Sequence, residues 1–475
     1  MAYSHYDRLS ALDATFLDLE NDNVHMHVGA LAIFEGGDLV RPDGGIDFAR
    51  VRRIAGPSIT RNQRFRQHLE SVPLLGHPVW VDDARFQLDY HLRHTALPEP
   101  GDERQLKRLY GRLMSQKLDL HKPLWEMWFV EGLPGGRFAV ITKVHHCMID
   151  GVSGVDLLAT LMDPDAEAEV QRAEEETAVA SPRPWLARTA PSGWTLLADE
   201  ALRRAALPLV ALRAGRDAIA HPDQAVHALR DALEGVREIL TPGLVGASQT
   251  PLNDDIGPHR RFDWFQTGIA ETQEVRKRIG GTLNDIVLAT VAGAMRHFLA
   301  QRAVRVDDLV FRAQVPVNVR AADEHGMLGN RVAMLLADLP VAEPDRRRRY
   351  EQVIETTAKL KASRQVHGGK LLEQLGDWTS KELLGAIVRL TGRQLAYNIV
   401  VTNVPGPRIP VHLLGARLVE IYPLVPLFAN QGLGIALFSY DGRLFWGLDA
   451  DWDRLPDLHD AGLALQHEFA AVCAL

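Results

Sequence analysis

Two adjacent histidines carry the strongest chemical signal in the chain. They lie in the stretch KVHHCMIDGVSG at residues 143–154, where His145 and His146 are followed by Cys147 and Asp150. An imidazole has a pKa near ~6.5, so at neutral pH it can take a proton from a hydroxyl and pass it to a leaving group. The stretch therefore favours acid–base chemistry, with a metal site and a cysteine nucleophile as alternatives.

Both alternatives have less support in the sequence. Structural zinc sites usually draw paired ligands from two separated clusters, and no second cluster is present in the sequence. Consecutive strand residues point to opposite faces, so His145 and His146 could not easily share one ion. Cys147 would need its own base and oxyanion pocket, and no serine stands in a G-x-S-x-G elbow. We expect no metal, and we expect Asp150 to cap the next helix or hold the turn.

Hydropathy patterns indicate the elements that position the histidines. Residues 102–118 carry apolar side chains at i, i+3, i+4, i+7 and i+8, which predicts an amphipathic helix. Two apolar runs, PLWEMWFVEG and RFAVITKVHH, are separated by LPGG and predict a hairpin of buried strands. The histidines would then lie at a strand end. The helix positions are Leu106, Leu109, Tyr110, Leu113 and Met114.

The middle of the chain differs in composition. From residue 163 to about 193 the sequence is acidic and then proline-bearing, without apolar periodicity, which is typical of a linker. Residues 195–240 favour helices that carry arginines, among them Arg203 and Arg213. We expect ordinary surface helices that bridge two domains, with an arginine face on anionic lipid as the alternative.

A second unit begins after about residue 246. It combines a strand near RRFDWF, a helix over 282–302, further strands, helices across 343–393, a hairpin at LFSYDGRLFWGL and a final amphipathic helix. Neither unit alternates strands and helices regularly, so the predicted fold class is mixed α/β, or α+β. The predicted regions are an N-terminal half at 1–163, a linker with bridging helices at 164–245, and a C-terminal half at 246–475.

Composition excludes several classes of protein. The 475 residues are 46% hydrophobic and 24% charged, which is typical of a soluble globular protein with two cores. A net charge of -8 argues against nucleic acid as a partner. No uncharged apolar run approaches the ~20 residues of a membrane span, and the N-terminus has no signal-peptide core. We therefore expect a cytoplasmic protein, with peripheral membrane contact left open.

The motif and its surroundings resemble a known family. HHCMIDG has the form HHxxxDG, which is the signature of the acyltransferase superfamily that includes chloramphenicol acetyltransferase, carnitine acyltransferases and condensation domains. Further blocks, in the same order, resemble the bacterial wax ester synthase/acyl-CoA:diacylglycerol acyltransferase family. They are LSALDATFLDLE, HMHVGALAIFEG, PLWEMWFVEG, TPLNDDIGPHRRF, TLNDIVLA, VPVNVR followed by GN, and NIVVTNVPGP. The chain departs from the family pattern at His25 and Thr402, where proline and serine are usual.

This resemblance implies a fold and catalytic residues. The fold would be two halves like chloramphenicol acetyltransferase, joined by a helical linker, with an active-site channel between them. His146 would be the general base, supported by His145 and Asp150. Thr282 and Asp285 can form a capping box, which would place Asn284 in the first helical turn, near the reacting oxygen.

The resemblance also implies residues that contact substrate. Trp125 would line the channel, with a plain core position as its structural alternative. Glu20 matches an acidic position of the family, and its alternative is a solvated helix residue. Pro405 and Pro407 exclude helix from the NVPGP segment, which we expect at the channel mouth. The expected substrate-binding residues are Trp125, Glu20, Gly151, Arg320, Asn330 and Asn403.

The expected activity is transfer of a long-chain acyl group from acyl-CoA to a fatty alcohol or diacylglycerol, without another cofactor. The expected location is cytoplasmic, peripheral to the inner membrane or lipid droplets. One alternative keeps the chemistry with another acceptor or a carrier-bound donor. Another alternative is a weakly catalytic protein that coats lipid droplets.

Overall fold

The computed structural model describes residues 6–74, 77–148, 161–165, 186–205, 246–318, 332–362 and 396–475. Within these ranges the chain forms β-sheets of seven, six and three strands, with helices packed on them.

The strands are β1 (Asp7–Arg8), β2 (His27–Glu35), β3 (Gln67–Ser71), β4 (Pro78–Asp82), β5 (Leu92–Ala96), β6 (Trp125–Leu133), β7 (Arg137–His145), β8 (Met162–Asp163), β9 (Arg260–Gly268), β10 (Phe311–Asn318), β11 (Val332–Leu339), β12 (Ile399–Pro405), β13 (His412–Leu413), β14 (Ala416–Leu424), β15 (Leu433–Tyr440) and β16 (Arg443–Asp451). The helices with both ends described are α1 (Ala11–Leu19), α2 (Phe48–Arg61), α3 (Leu88–His91), α4 (Glu103–Met114), α5 (Thr272–Arg278), α6 (Leu283–Gln301), α7 (Arg346–Ala362) and α8 (Leu458–Cys473).

The seven-stranded sheet holds the two histidines. Its order is β5-β6-β7-β2-β14-β13-β8, and the predicted hairpin is confirmed as the antiparallel pair β6 and β7. β2 pairs with the other edge of β7, so that His27 lies opposite His145. His145 is the last residue of β7, and His146 begins a single 3-10 turn. The predicted position of the histidines at a strand end is therefore confirmed.

The predicted amphipathic helix is α4. Asp102 and Gln105 form a capping box at its start, which satisfies two backbone N–H groups that a helix end leaves free. The five predicted apolar positions are all buried. Tyr110 packs edge-on against Phe262 of β9, with ring centroids 4.4 Å apart. The helix therefore lies where the first half of the chain meets the second.

The six-stranded sheet organises the second half, in the order β11-β10-β12-β15-β16-β9. α6 and α8 share a buried cluster with one face of it, including Val291, Leu465 and Trp446. The predicted turn between β15 and β16 is confirmed, because Asp441 and Gly442 both have positive φ, at 44° and 77°. Two consecutive positive φ angles define the type I′ turn that suits a two-residue hairpin.

The first sheet contains strands from both ends of the chain. β14 pairs with β2 and β13 pairs with β8, although β13 and β14 belong to the predicted C-terminal half. Phe438, Tyr440 and Phe445 of β15 and β16 also pack in the core of the first half. The predicted C-terminal half thus contributes strands to the first sheet and side chains to the core of the first half, and the predicted boundaries at 163 and 245 remain predictions.

A three-stranded sheet, β1-β4-β3, supports the start of the predicted bridging helices. Residues 193–205 are helical, and Leu196 packs against Val72, Val79 and Val81. Most of the predicted linker, the helical region after residue 205 and the predicted helices after residue 362 lie outside the described residues. Across the described ranges, every helix is too short or too polar to cross a bilayer.

Candidate active site

Backbone hydrogen bonds hold the turn that carries the histidines. The His145 N–H donates to the Leu124 carbonyl at 3.0 Å, and the His146 N–H donates to the Met26 carbonyl at 2.7 Å. The Cys147 N–H donates to Nδ1 of His145 at 3.2 Å. The chain therefore leaves β7 in a fixed direction, with neighbours on both sides of the turn.

His145 is bound on both ring nitrogens. Its Nδ1 accepts the Cys147 N–H, and its Nε2 lies 2.8 Å from Oε2 of Glu20. A ring whose Nδ1 accepts a hydrogen bond carries its proton on Nε2, so the pattern assigns Nε2–H as the donor to Glu20. The side chains of His145 and Glu20 are 0% and 6% exposed. His145 is thus a buried structural support of the turn.

Several groups besides His145 contact the Glu20 carboxylate. Its carboxylate accepts the Met26 N–H at 3.4 Å, and Lys117 Nζ lies 3.9 Å from Oε1. Burial alone would raise the pKa of the Glu20 carboxyl, but the hydrogen bonds from His145 and the Met26 amide, together with the charge of Lys117, hold that pKa below its usual value. Glu20 therefore acts as a carboxylate, and its alternative as a solvated helix residue is wrong.

His146 lies in a different environment from His145. Its ring stacks on Phe16, with centroids 3.8 Å apart and planes inclined by 26°. Its Nδ1 is buried and, within the described ranges, no other residue hydrogen-bonds to it, although the residue as a whole keeps some exposed surface. Burial, reinforced by the His145 ring, lowers the pKa of His146 to about 4. The imidazole is therefore neutral at pH 7 and able to accept a proton.

Two further buried groups tie α4 to this turn. Lys143, two residues before His145, donates to the carbonyls of Leu113 and Gln116 at the end of α4. Burial lowers the pKa of Lys143 to about 8. His27 accepts the Leu118 N–H on Nε2 at 3.3 Å, and burial lowers its pKa well below the usual value. These bonds fix the end of α4 beside the histidines.

The remaining side chains of the motif favour neither alternative chemistry. Cys147 is buried, and that burial raises the pKa of its thiol well above the usual value, which disfavours a thiolate nucleophile. Within the described ranges, no three His, Cys, Asp or Glu side chains are grouped so that they could hold a metal ion. Asp150 and Gly151 lie outside the described residues.

The capping box predicted at the start of α6 is confirmed. The Thr282 side chain accepts the Asp285 N–H, and Asp285 Oδ2 accepts the Thr282 N–H at 2.7 Å. Oδ1 of Asp285 also accepts the Thr357 hydroxyl at 2.6 Å. Asn284 lies in the first helical turn as expected, partly buried. Its role beside the reacting oxygen stays a prediction.

Of the predicted substrate-binding residues, Trp125 and Asn403 are described in addition to Glu20. Trp125 is fully buried, donates its indole N–H to the Phe65 carbonyl at 2.9 Å and stacks on His91, as a core residue does. Asn403 lies on β12 opposite Leu437, partly buried. NVPGP is non-helical, as predicted, since β12 runs to Pro405. Arg320 and Asn330 lie outside the described residues. The substrate contacts of all these residues stay predictions.

Sequence analysis missed Phe16 as a member of this site. The signal for it is present, because Phe16 and Glu20 stand four positions apart in LSALDATFLDLE and four positions place residues on one helix face. It could not be used alone, since the sequence does not state which element that face covers. Met26 was missed for a different reason, because its hydrogen bonds to Glu20 and His146 come from its backbone groups.

Family models match most of the chain. The wax ester synthase/diacylglycerol acyltransferase catalytic domain matches residues 9–287, and the WS/DGAT C-terminal domain matches residues 328–472. The probable diacylglycerol O-acyltransferase tgs1 of Mycobacterium tuberculosis is 32% identical over 476 residues, covering 99% of this chain and 96% of that protein.

Solved structures show the same fold. The wax ester synthase/diacylglycerol acyltransferase from Marinobacter aquaeolei VT8 matches with a TM-score of 0.67 and 24% identity, over 99% of this chain and 100% of that chain. The first condensation domain of the calcium-dependent antibiotic synthetase matches with a TM-score of 0.61 and 17% identity, over 99% and 96% of the two chains. The predicted fold, two halves like chloramphenicol acetyltransferase, is confirmed. Since the catalytic-domain model alone spans more than half of the sequence, this chain belongs to the wax ester synthase/diacylglycerol acyltransferase family of O-acyltransferases.

Proposed function

We propose that this protein transfers a long-chain acyl group from acyl-CoA to the hydroxyl of a fatty alcohol or a diacylglycerol, with His146 as the general base. The observation that carries this proposal is the His146 ring, which is held neutral at pH 7, stacked on Phe16 and, among the described residues, hydrogen-bonded at Nδ1 by no other residue. Nδ1 of His25 and Nδ1 of His27 are also buried without a partner among the described residues, but the His146 ring belongs to a residue that keeps some exposed surface, whereas His25 and His27 are buried. The family of the chain and the name of its mycobacterial relative support the reaction class.

The reaction we propose is a direct transfer. His146 removes the proton from the acceptor hydroxyl as that oxygen attacks the thioester carbonyl of the acyl-CoA. The tetrahedral intermediate then expels the sulfur, and the imidazolium returns its proton to the CoA thiolate. The products are an ester and free CoA thiol, so protons balance and the base is regenerated. Acyl-CoA is a co-substrate, and this sequence of steps needs no metal or other cofactor.

Burial has two opposite effects on such a base. It keeps the ring unprotonated over the physiological pH range, but it also weakens the ring as a proton acceptor. General-base assistance is worth roughly 10² to 10⁴ in rate, and positioning of the two substrates supplies more. We therefore expect the contacts that orient His146 to matter as much as its pKa.

The decisive experiment measures release of CoA thiol from palmitoyl-CoA, given hexadecanol or, separately, dipalmitoylglycerol. We expect release that depends on one or both acceptors and is lost in the variant His146→Ala. Acceptor-dependent release that survives in His146→Ala would refute the role of His146. A folded wild-type protein that releases no thiol with either acceptor would refute the substrate class and favour a carrier-bound donor or another acceptor.

We also propose that the protein works at a lipid surface, through the helix at residues 193–205. This helix exposes an apolar stripe, with Trp194 and Leu202 81% and 70% exposed. Its two carboxylates turn inward. Asp199 accepts the Tyr6 hydroxyl at 2.9 Å. Glu200 is buried and pairs with arginines on its own helix and on β1. The alanines that complete the stripe are Ala198, Ala201 and Ala205.

An ordinary surface helix buries its apolar side. This helix buries Leu196 but leaves the stripe with Trp194 and Leu202 exposed. The arginine face expected from the sequence is not free for lipid at Arg203 and Arg204, because both pair with Glu200. Leu74, 94% exposed, adds to the apolar surface beside the helix start, where Pro73 approaches Gly193. Diacylglycerols and fatty alcohols reside in lipid phases, so an apolar docking surface brings the enzyme to its acceptor.

Sedimentation with vesicles of phosphatidylcholine and dioleoylglycerol tests this surface. Replacing Trp194 and Leu202 together by serine should weaken vesicle binding by about tenfold or more, because two large side chains no longer enter the lipid. The matched control is Leu463→Ser, which removes an exposed leucine of α8 at 49% exposure. Equal binding by the double variant and the control would refute the surface.

A further inference from the structure

One face of α1 covers the turn that carries both histidines. The helix begins at Ala11, where Ser10 caps it by accepting the Asp13 N–H at 3.0 Å, and it ends at Leu19. Glu20 closes it, with its N–H donating to the Phe16 carbonyl at 3.2 Å. Side chains four positions apart lie on the same helix face, so Phe16 and Glu20 project side by side.

Phe16 contacts His146 alone of the two histidine rings. The centroid distance of 3.8 Å and the inclination of 26° describe a close face-to-face stack. Such a stack excludes water from one whole face of the imidazole and prevents rotation of its plane. Phe16 itself packs on a small apolar cluster formed by Val24, Met26, Ile256 and Leu427, which holds it in place.

Glu20 acts on the same turn through two routes. The first is its 2.8 Å contact with His145, whose other nitrogen accepts the Cys147 N–H within the turn. The second is Met26, whose N–H donates to Glu20 and whose carbonyl accepts the His146 N–H. The carboxylate therefore fixes the backbone of His146 from both sides without contacting its ring.

We propose that Phe16 and Glu20 are positioning residues for the acyl transfer, in which Phe16 sets the plane of the His146 ring and Glu20 holds its backbone. The inference rests on the proposed role of His146 as the base. Neither side chain exchanges a proton with substrate. We call Phe16 on α1 and Glu20 at its C-terminal end the clamp. The clamp fixes the position and the orientation of the His146 imidazole.

We expect loss of the clamp to lower the rate of acyl transfer more than the affinity for acyl-CoA. A general base must lie within hydrogen-bond reach of the proton that it removes, and a misplacement near 1 Å can cost about 100-fold in rate. Substrate binding draws on many other surfaces, so the affinity for acyl-CoA should change little. The two effects can be separated by measuring kcat and KM.

The test compares Phe16→Leu, Phe16→Tyr, Glu20→Gln and Glu20→Ala with the wild-type protein, using palmitoyl-CoA and the preferred acceptor. Phe16→Leu should lower kcat by about 10-fold to 100-fold with KM for palmitoyl-CoA nearly unchanged. Phe16→Tyr keeps an aromatic face and should recover most of that rate. Glu20→Gln can still accept from His145 and should retain more kcat than Glu20→Ala.

The pH profile distinguishes positioning from a general loss of packing. Phe16 contributes to the burial that lowers the pKa of His146 to about 4 from an ordinary 6.5, so removing its ring should move the acid limb of kcat/KM upward. The matched control is Leu17→Ala, on the same helix, which removes packing from the core of the first half. It should lower the melting temperature and leave the acid limb in place.

The outcomes separate the clamp from the proposed function. If His146→Ala abolishes turnover and Phe16→Leu keeps wild-type kcat and an unshifted acid limb, the clamp is refuted while the base remains. If Phe16→Leu and Leu17→Ala lose kcat equally, and in proportion to melting temperature, the clamp is again refuted. If His146→Ala retains turnover, the proposed function itself fails.

Discussion

Two buried histidines of the first half, His91 and His146, share a low pKa but differ in their hydrogen bonds. Each stacks on an aromatic ring, His91 on Trp125 with centroids 4.8 Å apart and His146 on Phe16 at 3.8 Å. Burial lowers the pKa of both to about 4. However, Nδ1 of His91 lies 2.8 Å from the Trp125 carbonyl, whereas Nδ1 of His146 is buried and no other residue in the described part of the chain hydrogen-bonds to it.

This difference separates His146 from His91. Nδ1 of His25 and Nδ1 of His27 also lack a partner among the described residues, but His146 is the one of these three residues that keeps some exposed surface. A depressed pKa reports burial, which any core histidine experiences, so it cannot by itself separate a structural histidine from a catalytic one. An unpartnered nitrogen costs stability unless something else uses it. His146 also sits in a turn held by α1 and β2, while His91 ends the short helix α3 and packs into the core.

The largest predicted effect is the difference in activity between a variant of His146 and a variant of His91. His146→Ala should lower kcat by roughly 10² to 10⁴ and leave the fold intact, because the base is removed. His91→Phe should keep kcat within about twofold, since it affects packing alone, but should lower the melting temperature by leaving the Trp125 carbonyl without a donor. Thiol-release kinetics and thermal melts of both variants give the comparison. Similar kcat losses in the two variants would contradict it.

The second prediction concerns the pH dependence of the reaction. The pKa of His146 is about 4, so the free enzyme keeps its base unprotonated well below pH 6.5. We expect kcat/KM to stay level from neutral pH down to about 5 and to fall only as the pH approaches 4. An ordinary histidine would lose more than about tenfold over the same interval. A limb centred near 6.5, in protein that circular dichroism shows to be folded, would contradict the buried state of His146.

Sequence patterns were sufficient for the local parts of this site. The capping box of α6 depends on four consecutive letters, and the hairpin before His145 depends on two apolar runs and a glycine turn, so both could be predicted. The contact between Glu20 and His145 joins residues 125 positions apart. Nothing in the hydropathy of α1 specifies which turn it covers, and β14 has no local mark that assigns it to the first sheet. Tertiary packing determines both.

The smallest predicted effect is a change with pH in the free energy of unfolding that His91 contributes. The folded-state pKa of His91, about 4, lies below the unfolded value near 6.5, so the unfolded chain takes up the proton first. The stability that His91 contributes is therefore complete above pH 6.5 and is lost as the pH falls toward 4. Phenylalanine cannot be protonated, so the difference in unfolding free energy between the wild-type protein and His91→Phe should shrink between pH 7.5 and 5. Urea titrations at both pH values measure it. A constant difference would mean that His91 is solvated, and the contrast with His146 would then rest on the hydrogen bonds alone.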